Sequence, residues 1–335
     1  MTPIQMFWAT MPFIRIKFIV EFIFVLIKVG ICALFIYGFM DMHIENFEWD
    51  FEARGRNFII TALVLAFAVY PLLTIIIRRY GMYMVRVAHI AVTARIIKTK
   101  KVPKNQVRYG YEQVKKNFLT ANVFFVLDKL VHRAVVDLQE FVQSLLGGLG
   151  LIAAIAALFK KNLISHIDEC CLGITFLRRD VKPFTGAVIG VCTYITAWRA
   201  MAKQAVVVTL ESIVISIVFF LAGGAWLTFA ITSGNMFTIV LSLIVIFSAM
   251  AVKKSILNSY IMINMLTIFF QESKKLETME AVKPIIEKAS MLSPNFCNLV
   301  YQANETDKFL TDEEQRNILA NRRVGIALNQ SKNPR

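Results

Sequence analysis

The chain has 335 residues, 57% of them apolar and only 18% charged, and its 37 Lys+Arg against 23 Asp+Glu give a formal charge of +14. Globular domains carry about 25% charge and do not block their apolar residues into long runs, so an ordinary water-soluble domain is excluded. The bases sit beside the apolar runs, where positive-inside retention and attraction to anionic headgroups account for them, and nucleic acid is not an expected partner.

Residues 1–17 are short and mildly basic, with Trp8 and Phe13 suited to a membrane interface. Arg15, Lys17, Glu21 and Lys28 interrupt the apolar run that follows, and no small-x-small site succeeds it, so no cleavable signal is expected. A first span is expected over 18–40, closing before Asp41. Asp41–Arg56 is the one acidic connection, with Asp41, Glu45, Glu48, Asp50 and Glu52 against Arg54 and Arg56. Phe58–Ile77 supplies twenty uncharged residues for a second span, kinked at Pro71.

Arg78–Arg133 holds thirteen Lys/Arg and two acids, Glu112 and Asp128. The asymmetry places this segment in the cytosol and Asp41–Arg56 outside. Within it, Phe118–Leu146 has helical periodicity: Phe124, Leu127, Leu130, Val131, Ala134, Val135, Leu138 and Val142 share one face. Such a helix is expected along the membrane surface or against the spans. Phe141–Phe159 is uncharged but flanked by bases on both sides, with Gly147, Gly148 and Gly150 near its start. It is expected to be re-entrant or buried rather than a fifth span.

Residues 160–204 are basic again, interrupted by Phe184–Trp198, where Gly186-xxx-Gly190 would let helices approach closely. Ser212–Val252 then has no Asp, Glu, Lys or Arg and reads as two spans, 205–231 and 236–252, turning at Thr232-Ser233-Gly234-Asn235. Lys253-Lys254 stops the second, and the short uncharged run Ser255–Phe270 is expected to be an interfacial helix. The remaining tail has mixed charge, a capping box at Thr311-Asp312-Glu313-Glu314, and sequons at Asn304 and Asn329.

The expected fold is therefore all-α and polytopic: about four transmembrane helices, amphipathic or re-entrant helices, and a small helical cytosolic tail. In order these are an N-terminal transmembrane pair (1–77), a basic cytosolic or membrane-associated layer (78–204), a C-terminal hairpin plus interfacial helix (205–270) and the tail (271–335). Both termini are expected in the cytosol, at a plasma or inner membrane.

Ionisable groups within spans are costly and are functional candidates, which singles out Glu21, Lys28 and Glu211 for a polar path. Their bland reading is interfacial placement, with Lys28 snorkelling to headgroups and Glu211 paired with Lys203 or a neighbouring helix. Arg95, Lys98, Lys100, Lys101 and Lys104 outnumber the acids near them and are expected to contact anionic lipid or an acidic partner. His166, Glu169 and Cys170 would share a helical face as at most a partial metal shell, so no metal is expected. His43, His89 and His132 are isolated in sequence.

The five cysteines (Cys32, Cys170, Cys171, Cys192 and Cys297) lack CxxC spacing, so neither a disulfide framework nor a zinc knuckle is indicated. No nucleotide, metalloprotease or nucleophile-elbow motif occurs, so no catalytic role and no cofactor is expected. Two functions remain: an oligomeric transporter or channel for a small solute or ion, or a non-catalytic anchoring or scaffold subunit of a larger membrane complex. No filter loop or inverted repeat supports the first.

Overall fold

A computed structural model describes residues 1–43, 49–117, 121–145, 166–178, 180–232 and 236–320, and every regular element among them is helical. The helices are α1 (Pro3–Ala9), α2 (Met11–His43), α3 (Trp49–Val64), α4 (Tyr70–Leu73), α5 (Tyr83–Thr99), α6 (Gln106–Asn117), α7 (Ala121–Leu145) and α8 (166–177). They continue with α9 (Pro183–Thr232), α10 (Met236–Val252), α11 (Asn258–Ser273), α12 (Met279–Leu292), α13 (Pro294–Asp307) and α14 (312–320).

Four helical stretches are long and apolar enough to cross a bilayer: Met11–Gly38, Arg56–Ile77, Pro183–Phe229 and Val240–Leu276. The chain is an all-α polytopic membrane protein. By contacts it falls into two compact units, one of Met1–Thr10, Val87–Leu210 and Tyr260–Arg335, the other of Met11–Arg86 and Glu211–Ser259. This division cuts across the four segments that hydropathy and charge suggest.

The unit of Met11–Arg86 and Glu211–Ser259 turns its apolar side chains outward. Ile19, Phe67, Leu72, Val218, Phe220 and Phe229 are all exposed, which only a lipid surround makes inexpensive. One buried cluster there, Val25, Val29 and Ala251 among Val240, Leu243, Ile244 and Phe247, joins α2 to α10. Pro71 has no N–H to offer the Phe67 carbonyl, and widened π turns occupy Leu65–Val69 and Thr74–Met82 on either side of α4. The turn expected at 232–235 lies largely outside the described residues.

The other unit is built like a water-soluble helical domain, with apolar faces turned inward. Its centre is α8, seated between α9 and α11. A Cβ added at Gly190 would lie 2.5 Å from the Cys171 carbonyl oxygen, and one at Gly186 would lie 3.0 Å from Thr175 Cα. The small-residue pair thus serves a backbone-on-backbone approach, as its spacing suggests. On the opposite side, Gly173 leaves room for Leu266 and Phe270 of α11.

Two expectations change here. The amphipathic face of α7 does not lie free for a membrane: Leu127, Val131, Ala134, Val135 and Leu138 are buried, and α7 packs on α12 and α13. Asp137 accepts from Ser293 Oγ (2.7 Å) and Asn295 Nδ2 (3.0 Å), while Ser293 Oγ also accepts from the Phe296 N–H and so caps α13. Likewise the run 255–270, expected to be interfacial, packs on protein over much of its length. Met262, Ile263, Met265, Leu266, Phe269 and Phe270 are buried within this unit. An uncharged run after a lysine pair signals a need for apolar surroundings, and protein meets that need as well as a headgroup layer does. The expected capping box is present: Glu314 N–H donates to Thr311 Oγ1 (3.2 Å) and Thr311 N–H to Glu314 Oε2 (2.8 Å). Of the expected re-entrant segment Phe141–Phe159, all beyond residue 145 lies outside the described residues.

Candidate functional site

The helical unit holds a cavity of about 600 Å³ where the C-terminal ends of α5, α8 and α11 meet. Each such end leaves carbonyls without intrahelical donors and carries partial negative charge, so cations gather there. Lys98 Nζ donates to the Leu177 carbonyl at 3.0 Å. Arg178 grips Asp180 through Nε (3.0 Å) and Nη2 (2.7 Å) and gives Nη1 to the Glu277 carbonyl (2.9 Å), tying the end of α8 to the turn after α11. Hydrogen bonds from Arg178, aided by the nearby Lys98 charge, hold the Asp180 carboxyl below its usual range.

Lys100 closes α5 with φ 57°, its N–H reaching the Ile96 carbonyl at 2.8 Å. This is the left-handed cap that glycine normally fills, and a lysine there carries a backbone cost. The rim therefore carries Lys98, Lys100, Arg178 and Lys274 against Asp180 and Glu277, a net +2 (four cations less two acids). The floor is apolar: Met6, Ile97, Ile174, Leu177, Ile189 and Phe270. Lys98 and Arg178 are occupied by carbonyls and Asp180. The exposed Lys100 and Lys274 ammonium groups meet no described acceptor.

Of the five bases singled out from sequence, Lys98 and Lys100 come together at this cleft. Lys101 and Lys104 are exposed on the connection to α6, and Arg95 turns inward, its guanidinium 4.7 Å from the Tyr109 ring centroid. None of the five forms an ion pair with a described carboxylate.

The three intramembrane candidates do not form one constellation. Glu21 is buried on α2, one turn from the buried Lys17, whose Nζ donates to Ser259 Oγ at 3.1 Å. Lys28 sits further along α2 with its Nζ 5.7 Å and 5.5 Å from the Tyr70 and Phe247 ring centroids. Glu211 is exposed on α9 and is not joined to either.

At the start of α8, His166 Nδ1 lies 3.2 Å from Glu169 Oε2, whereas Cys170 is fully buried and its thiol is pushed up by burial. Among the described residues no three metal-capable side chains converge. His132, isolated in sequence, has Asp168 at 3.6 Å, and that carboxylate raises its pKa. Arg178, Asp180, Lys274 and Glu277 are the site residues that sequence reasoning missed. Only tertiary packing relates them, and Arg178-x-Asp180 matches no recognisable motif.

Comparison with known protein families, with curated proteins and with solved structures finds no significant match.

Proposed function

We propose that the protein is a non-catalytic membrane-anchored module whose helical unit recognises anionic lipid headgroups, in the manner of an anchoring or scaffold subunit. The observation that carries this reading is the set of exposed lysines at and beside the cleft, Lys100, Lys101, Lys104 and Lys274, whose side chains have no described acceptor. Each such charge near an anionic leaflet is worth on the order of 1 kcal/mol, more than an isolated surface ion pair provides. The test is lipid retention by the purified full chain. Neutralising Lys101 and Lys104 together removes about 2 kcal/mol and lowers anionic-lipid affinity roughly thirty-fold at low salt. Unchanged retention refutes the reading.

A second reading, conduction or transport of a small solute or ion by an oligomer, is favoured by one observation. Lys17 and Glu21 are only 7% and 9% exposed on α2 of the lipid-facing unit. Buried ionisable groups in spans are functional by default. Loss of a proteoliposome flux on Glu21→Gln, with Glu211→Gln silent, would support it over anchoring.

A further inference from the structure

We infer that the cleft at the ends of α5, α8 and α11 binds a single phosphate-headed amphiphile, its phosphate held by Lys100 and Lys274 and its chains lying on the floor beneath. The inference deepens the lipid reading above by giving it one saturable site.

Three observations carry it. The volume, about 600 Å³, falls within the ~300–1,000 Å³ range of small-molecule sites. Polarity is divided by exposure: Met6, Ile97, Ile174, Ile189 and Phe270 are buried or half-buried, the charged side chains are exposed apart from the half-buried Arg178, and only the Thr267 and Ser273 hydroxyls lie among the covered residues. An amphiphile matches that split, whereas a sugar or a free anion would leave the floor wet. Lys98 and Arg178 are largely taken up by helix-end carbonyls and Asp180, so Arg178 is not the main anchor and the anion preference rests on the two remaining cations. Lys100 and Lys274 remain available, as compact and mobile point charges suited to a phosphate.

The other ligand classes fit less well. A nucleotide base needs a stacking partner, and among the described lining residues Phe270 is the sole aromatic ring. A metal cation would be repelled by the excess of bases. One wall comes from α1, which Gln106 Nε2 fastens by donating to the Ala9 carbonyl at 2.6 Å. The Met6 thioether on that wall is adaptable enough to accept chains of varied shape.

The test is calorimetric titration of the full-length protein in neutral detergent with dihexanoyl phosphatidic acid, against dihexanoyl phosphatidylcholine and inorganic phosphate. One-to-one binding of the acid is expected, about five-fold weaker in Lys274→Gln, as loss of one surface charge predicts. It should be absent in Gln271→Trp, which fills the cleft from an exposed position. Lys101→Gln/Lys104→Gln lies outside the cleft and should leave it unchanged, so bulk lipid attraction and the specific site can fail separately. Equal binding of phosphatidylcholine, equal binding of phosphate alone, or no saturable binding each overturns the inference. So does binding that survives Gln271→Trp.

Discussion

Gly190→Ala tests the packing on which the cleft depends. The new methyl would stand 2.5 Å from the Cys171 carbonyl oxygen, 2.7 Å from its Cα and 2.9 Å from its carbonyl carbon. All three are backbone atoms, so no side chain can rotate away and the two helices must separate. Alanine gains up to about 1 kcal/mol of helix propensity over glycine, while overpacking of this kind costs about 1–3 kcal/mol and sometimes more. Three backbone contacts under 3 Å put the cost at the upper end of that range, so overpacking wins by about 2 kcal/mol, or several degrees in Tm at roughly 2–4 °C per kcal/mol. Gly224→Ala is the internal control, because a Cβ there meets nothing within 4 Å and only the propensity gain remains. The assay is thermal unfolding in detergent with site-resolved alkylation of Cys171, which is fully buried in the native chain. Gly190→Ala should lower Tm and expose Cys171, and Gly224→Ala should do neither. If Gly190→Ala is as stable as Gly224→Ala, α8 and α9 are not in backbone contact and the cleft geometry built on them is wrong.

Lys100→Gly should relieve the left-handed backbone cost of about 1 kcal/mol and raise Tm by a few degrees while weakening phosphatidic acid binding. A lysine kept only as a cap would show the first effect without the second. The Asp168 carboxylate, 3.6 Å away, raises the His132 pKa against the opposing effect of burial. Its stabilisation is therefore complete below the unfolded imidazole value of about 6.5 and is lost as pH rises through the folded value above that. Tm measured from pH 5 to 9 should fall across that window more steeply in the native chain than in His132→Gln, and parallel curves would dismiss the pair. For topology, cysteines placed at 49–56 should label from outside and at Lys104 from the cytosol. Asn304 cannot serve as a glycan reporter, since it is buried and bonded to Gln315 and the Leu310 N–H, so sugar at Asn329 is the outcome that would invert the orientation.

Local signals in the sequence transferred well to the structure. The Thr311 capping box, the Pro71 disruption and the Gly186-xxx-Gly190 approach each depend on a few neighbouring residues, so their physics is visible without a fold. The apolar face of α7 was legible too, but its partner was not. Periodicity reports that Leu127, Val131 and Leu138 need covering and is silent on whether lipid or α13 covers them. The cleft was half legible. Lys98 and Lys100 stand out as unpaired bases, whereas Arg178, Asp180, Lys274 and Glu277 acquire meaning only where three helix ends meet. His132 and Asp168 are thirty-six residues apart, a separation that no spacing rule links.

Hydropathy cannot distinguish lipid from protein as the solvent of an apolar helix, and the stretch from Met236 to Ser273 shows why that matters. One 18-residue window of Val240–Leu276 reaches a mean hydropathy of 2.0, high enough for a span. Yet the contacts assign its start to the lipid-facing unit and everything from Tyr260 to the inward-facing one. Cysteine reactivity separates the environments. Phe220→Cys, at a position 80% exposed in the lipid-facing unit, should react with a membrane-soluble maleimide and resist a charged one. Lys104→Cys, on an exposed connection, should react with the charged reagent. Ile263→Cys, at a position 0% exposed, should resist both until the protein is unfolded. The isoleucine-to-cysteine change is conservative in a core, since cysteine behaves as a small hydrophobe. If Ile263→Cys instead reacts with the membrane-soluble reagent in the folded protein, α11 lies in lipid. The interfacial helix expected from its sequence would then be the right description, and Phe270 could not form the floor of the cleft.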